Sequence, residues 1–247
     1  MDDARPIALQ LLSGSVFGLK GQLGILGPCN ALAYEAWVYG PRSAMPPILL
    51  GGPLEHFTRT SPLAALAVWL PVILFCLTPA PALGALSSLL LLACGVVMWS
   101  LMEYCFHRFI FHHRPSTNLG CCIHFLLHGV HHRFPLDRLR LLFPPPIGLA
   151  VLSLAYSTLS CLMPPPCACV MVAGGAAGFL FYDLVHYALH HLHAPPTNPL
   201  FRAFLRYQGL HKRHHIDHVH TFGVSPLGAV WDSAWGTAAP GPGLAMT

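Results

Sequence analysis

The sequence predicts an all-α integral membrane protein of four transmembrane helices, and three observations predict it. The 247-residue chain is 54% hydrophobic and only 9% charged, whereas about a quarter of an ordinary soluble domain is charged. No charged residue occurs between Arg59 and Glu103, or between Arg140 and Asp183. Each of those stretches is about twice the roughly 20 apolar residues that one membrane helix needs. Each is also broken near its middle by prolines: Pro79 and Pro81 in the first, Pro164, Pro165 and Pro166 in the second. Two helical hairpins follow, and a water-soluble core would not need apolar runs this long.

Residues 1–60 are mixed, rich in glycine and proline, and read as a cytosolic N-terminal arm. Their aromatic piece YEAWVYGP (34–41) places Trp37 and Tyr39 where they suit a membrane interface. The opening MDDARPIALQ is acidic before a modest apolar run, unlike a cleaved signal peptide. Residues 61–247 form the membrane-embedded domain, with spans at about 62–78, 83–104, 145–163 and 168–189. Within the last span GGAAG (174–178) reads as a seam where helices approach closely.

Charge orients these spans. The connections near 79–82 and 164–167 contain no Lys or Arg, and all 13 basic residues lie in the N-terminal segment, in 105–142 or after 190. An even number of spans puts those three regions on one side, which the positive-inside rule makes cytosolic. The net charge of +4 is then an orientation signal. It gives no basic stripe with aromatics, so no nucleic-acid partner is expected. Nine cysteines show no CxxC pair, which argues against a zinc ribbon or redox motif and for free or buried thiols.

Except for His56, all 17 histidines fall in two blocks, 107–132 and 186–220, each starting at the cytosolic end of a predicted span. The order is His107-x4-His112, His128-x2-His131-His132, His186-x3-His190 and His211-x2-His214-His215. On a helix, i, i+3 and i+4 share a face, so each HxxHH should present three imidazoles together. His186 and His190 stand about one turn apart. His107 and His112 are about 140° apart on an ideal helix, so they call for a bent helix end or two separate metals. Ten histidines in four spaced motifs point to metal ligation, and six to eight imidazoles satisfy two metals. Imidazole suits iron, zinc and copper. Ligating histidines also want carboxylate or carbonyl partners on their other nitrogen, for which Glu103, Asp183, Asp217 and Asp232 are the candidates. His56, His113, His124, His191, His193, His218 and His220 fit supporting or surface roles better.

At this point the residues resemble a known family. WSLMEYCFHRFIFHH (99–113), HFLLHGVHHRFPLDRLRLLFPPP (124–146), FYDLVHYALH (181–190) and HKRHHIDHVHTFGVSPLGAVWD (211–232) are similar to the fatty acid 2-hydroxylases. These belong to the wider fatty acid hydroxylase and sterol desaturase superfamily. HGxHHxxPxDxxRLxFPP, beginning at His128, is the element that separates the 2-hydroxylases from sterol-acting relatives. The resemblance implies four membrane helices under a cytosolic helical cap that holds a His-rich dimetal site in the endoplasmic reticulum membrane, with both termini cytosolic. It assigns His107, His112, His128, His131, His132, His186, His190, His211, His214 and His215 as metal ligands, with iron as the catalytic metal and zinc as a possible occupant. It implies O2-dependent 2-hydroxylation of long-chain acyl groups, free or in ceramide, for 2-hydroxy sphingolipid synthesis. Electrons would come from cytochrome b5 and its NAD(P)H reductase. The HPGG haem motif of members with a fused cytochrome b5 domain is missing here, and no flavin or nicotinamide fingerprint occurs. No bound haem or flavin is therefore expected. Two features depart from the family's pattern: the proline-containing connection 191–210, and the extra histidines at 191, 193, 218 and 220.

Three other readings compete. A sterol or other lipid oxidase would share the metal site but not the long motif at His128. A membrane metal transporter would want ionisable residues at mid-membrane depth, and both apolar stretches lack them. A scaffold with structural zinc would favour closed four-ligand sites and leaves ten histidines without a reason.

Overall fold

The computed structural model of the protein describes residues 6–13, 27–40, 49–193, 195 and 198–239. Parts of the N-terminal arm and of the 191–210 connection lie outside the described residues. Among those described, the chain is helical and no strand forms. In order come α1 (Ile7–Leu12), α2 (Ala31–Val38), a 3-10 turn (Gly52–Thr58), α3 (Pro62–Cys76), α4 (Ala80–Leu83) and α5 (Ala85–Cys105). A π-helical turn (Phe106–Phe111) continues α5. After it come α6 (Asn118–His124), a second π turn (Phe125–Gly129), α7 (Val130–Arg133), α8 (Pro145–Ser160), α9 (Pro165–His191), α10 (Pro199–Asp217) and α11 (Gly228–Ala234).

Among the described residues, three stretches are long and apolar enough to cross a membrane: Pro62–Leu83, Ala85–Phe111 and Pro165–His191. The third predicted span is instead a 16-residue helix, α8. At 1.5 Å per residue it rises about 24 Å, short of the roughly 30 Å hydrocarbon layer. The prolines that flagged the hairpin turns do sit at breaks. Pro79 precedes α4, Gly84 has a φ of 82° at the turn into α5, and Pro165 and Pro166 occupy the first turn of α9, where a missing N–H costs nothing. Pro199 likewise opens α10, whose N-cap Asn198 accepts from Phe201 N–H at 2.9 Å. The expected long connection 191–210 is therefore helical from 199 onward.

The chain divides into two compact units. One comprises Ser61–His107 and Pro145–Thr247. In it α9 packs against α3, α5 and α8, and glycines let the backbones meet. A Cβ on Gly174 would lie 2.2 Å from the Leu92 carbonyl oxygen, and one on Gly95 would lie 2.0 Å from that of Met171. Gly178 gives room to the Trp99 ring, so GGAAG is the packing seam its composition indicated. Trp69 and Trp99 pack edge-on against Phe179 at 4.7 and 5.0 Å. Leu74, Phe75, Leu86 and Leu89 remain exposed on the outside of α3 and α5, as residues facing lipid do.

The other unit comprises Arg108–Pro144 with the described residues of Met1–Thr60. Its core gathers Leu11, Tyr34, Val38, Leu49, Cys121, Phe125 and Phe134, so the described parts of the arm pack into a core with 108–144. Cys29 and Cys121 are joined by a disulfide, against the expectation of thiols. Nothing in their spacing, 92 residues apart, signals the pairing. Tyr34 and His124 hydrogen-bond at 2.6 Å. The Asp-x-x-Arg of the long motif has a structural use. Buried Arg140 donates to Asp137 at 2.6 Å and to Glu55. The other Glu55 oxygen accepts the N–H groups of Leu49, Leu50 and Gly51. Burial pushes the Glu55 carboxyl up, but these N–H groups and the guanidinium hold it below its ordinary value.

Candidate metal centre

In the larger unit the C-terminal end of α9 carries His186 and His190, and α10 carries His211 and His215 on one face. Their Nε2 atoms converge: His211 Nε2 stands 3.1 Å from that of His186, 2.8 Å from that of His190 and 3.1 Å from that of His215. One neutral imidazole nitrogen offers either one proton or one lone pair, so hydrogen bonding cannot serve three such neighbours. A shared cation can. Ligands about 2.1 Å from one metal and at right angles around it lie roughly 3 Å apart, which is the spacing found. Burial, then the imidazoles of His186, His215 and His190, hold His211 well below its ordinary pKa, which favours the neutral ring. Gln208 braces the two helices, donating to the carbonyls of Leu189 and Leu192 at 2.8 and 3.1 Å.

His214 turns away from that group and faces His107, with ring centroids 4.7 Å apart. Each passes its Nδ1–H to a main-chain carbonyl: His107 to Phe222, and His214 to His220 at 2.7 Å. Each ring then carries its lone pair on Nε2, the nitrogen that could ligate a metal. Burial first, then His107, lowers the His214 pKa to about 3.

In the smaller unit His128 Nε2 lies 3.3 Å from that of His112 and 2.9 Å from that of His132. His131 stands outside this trio, its ring 5.6 Å from His128. Each HxxHH figure thus splits, its i and i+4 members joining one group and its i+3 member leaving it. This corrects the expectation of three imidazoles together. Between His107 and His112 the chain leaves ideal α geometry, because the Phe106–Phe111 segment is π-helical. In a π turn residues five apart come close to one face, and such turns recur at functional sites. Tyr39, expected at the membrane interface, stacks beside His112 with its hydroxyl 3.4 Å from Nδ1.

The four carboxylates named from sequence differ in what they touch. Buried Glu103 accepts from the N–H groups of Val224 and Ser225 and from the Ser225 hydroxyl, at 2.8, 2.9 and 2.7 Å. Buried Asp232 accepts from the N–H groups of Phe222 and Gly223 at 2.9 and 2.7 Å. Both brace the backbone whose carbonyls hold the imidazoles. Asp183 is buried in α9 near His186. Asp217 pairs with His220 at 3.6 Å. Sequence reasoning missed the carbonyls of His220 and Phe222 because main-chain groups leave no mark in a residue pattern.

These donors are imidazoles, most of them buried, gathered closely enough to hold a metal ion, and they fit first-row transition metals. Comparisons with known proteins point the same way. The family model described as fatty acid hydroxylase matches residues 92–237, a stretch that includes all ten of these histidines. The chain is 32% identical to the dihydroceramide fatty acyl 2-hydroxylase FAH1 of Arabidopsis thaliana, over 87% of this chain and 89% of that protein. It is 35% identical to the ceramide very long chain fatty acid hydroxylase SCS7 of Saccharomyces cerevisiae, over 81% of this chain and 50% of that one. A solved structure of full-length scs7p, with only the hydroxylase domain visible, superposes with a TM-score of 0.82 at 30% identity, covering 97% of this chain and 86% of that chain. A match to the family model through every histidine motif, over the same helical frame, makes this chain a member of the fatty acid hydroxylase family.

Proposed function

We propose that this chain 2-hydroxylates long-chain fatty acyl groups, free or in ceramide, for 2-hydroxy sphingolipid synthesis. The reaction takes R–CH2–CO–X, O2, two electrons and two protons to R–CH(OH)–CO–X and water. Convergence of four Nε2 atoms around His211 is the observation that carries the reading. The His186, His190, His211 and His215 group would hold one metal and the His112, His128 and His132 group another, with His107, His131 and His214 completing the ten ligands. Iron is the expected catalytic metal and zinc a possible occupant; bound there, the pair would supply the oxygen activation and electron transfer that hydroxylation at C2 requires. The chain's own part would be to present clustered imidazoles, with the tautomers of His107 and His214 fixed by main-chain carbonyls, and to lodge the acyl chain among apolar helices.

This reading places the protein in the endoplasmic reticulum membrane, with four spans and with both termini and the histidines cytosolic. The 16 residues of α8 would serve as the remaining span where the bilayer thins or flanking residues reach outward. Electrons would come from cytochrome b5 and its NAD(P)H reductase, an acidic carrier suiting the basic residues Arg108, Arg133, Arg138, Arg202, Lys212 and Arg213. Purified protein given acyl substrate, O2 and NADPH should be inactive, and adding the carrier and its reductase should start repeated turnover. Turnover on NADPH alone would remove the need for that partner.

A further inference from the structure

Two residues besides glycine have positive φ among those described: His218 at 41°, where α10 ends, and Thr221 at 59°. A β-branched residue in the left-handed region is an outlier that its surroundings must enforce. Here they do so from both sides. Thr221 N–H donates to the Thr237 carbonyl at 2.7 Å, and Thr221 Oγ1 accepts from Ala239 N–H at 3.0 Å. Asp232 takes the next two N–H groups, those of Phe222 and Gly223, and also the Thr237 hydroxyl at 2.7 Å. Tyr104 completes the clamp through its hydroxyl, 2.9 Å from that of Thr237. Gly223 packs so closely on α11 that a Cβ there would lie 2.1 Å from the Gly228 carbonyl carbon.

The turn has one consequence for the imidazoles. The carbonyls on either side of Thr221, those of His220 and Phe222, are the two that accept from His214 and His107. A carbonyl cannot donate, so both rings carry their proton on Nδ1 and present Nε2. We propose that the His220–Gly223 turn, with Thr221 and Asp232 as positioning residues, sets the tautomer and aim of His107 and His214 toward one metal, while the other metal, on His186, His190, His211 and His215, does not depend on it. The inference rests on the two-metal reading above.

Metal per chain, measured on the full-length protein in detergent beside its thermal midpoint, tests it. Wild type should hold two metals, and folded Asp232→Asn and Thr221→Pro should hold one, with 2-hydroxy product falling at least 10-fold. Thr221→Gly should keep both, because glycine adopts positive φ without strain. A folded Asp232→Asn or Thr221→Pro chain with two metals or none overturns the inference, as does loss of metal in Thr221→Gly. The wild type supplies a second measurement should the variants fail to fold. Histidine-selective 15N spectra of the metal-free chain, assigned with His107→Gln and His214→Gln, should show both rings protonated on Nδ1, and protonation on Nε2 would overturn it. A wild type without metal would overturn the functional reading as well, whereas two metals in wild type and in Asp232→Asn would sink this inference alone.

Discussion

His128 stands between His112 and His132, and His214 faces His107; each is buried. Replacing either with Ala should abolish 2-hydroxy lipid formation and lower the bound metal, read by lipid mass spectrometry and elemental analysis. His56 is exposed on the 3-10 turn, and its Ala variant should stay near wild type in both. His124 makes a different prediction. Burial lowers its pKa from 6.5 to about 4, so the unfolded chain takes up its proton first as acid is added. Its contribution to stability is intact above about 6.5 and falls progressively as pH drops toward 4. The thermal midpoint of a His124→Phe variant should therefore depend less on pH across that window than that of wild type. All ten ligand candidates were legible because their side chains carry the chemistry. The roles of Glu103 and Asp232 were only half legible: they support the imidazoles, but through backbone amides that a residue pattern does not show.

Among the elements, the helices that composition marks most strongly are the ones that form. The charge-free stretches and their proline breaks located α3, α5 and α9 to within a few residues. What was not legible is register and length. The stretch 145–163 looks like the other spans in hydropathy but stops at Ser160, and a π turn is invisible to a count based on 3.6 residues. The proline-containing connection 191–210 is helical from Pro199, which opens α10. Glycine shows how context decides. Gly174 abuts the Leu92 backbone, which cannot give way, so Gly174→Val should force α5 and α9 apart and cost about 1–3 kcal/mol. Gly209 is exposed in α10, with nothing near the position of a Cβ. Gly209→Ala should therefore raise stability by about 0.5–1 kcal/mol. Thermal midpoints of the two variants should move in opposite directions.

For the whole molecule, an even number of spans would put two histidine blocks far apart in sequence on one side of the membrane. Tags at the N-terminus, within 114–120 and at the C-terminus should all be accessible from the cytosol, while a tag near Pro81 should be accessible only from the lumen. Termini on opposite sides would mean an odd number of spans and would separate the blocks. The central claim is that the histidines hold metals that carry out acyl 2-hydroxylation, and one measurement tests it most directly. The chain, and its His211→Ala variant, would be expressed in a host deprived of its own 2-hydroxylase and the sphingolipids profiled by mass spectrometry. The account predicts 2-hydroxy acyl chains with the wild-type protein and none with His211→Ala at equal protein level. Wild-type protein that holds two metals yet yields no 2-hydroxy lipid, or undiminished product from His211→Ala, would contradict it.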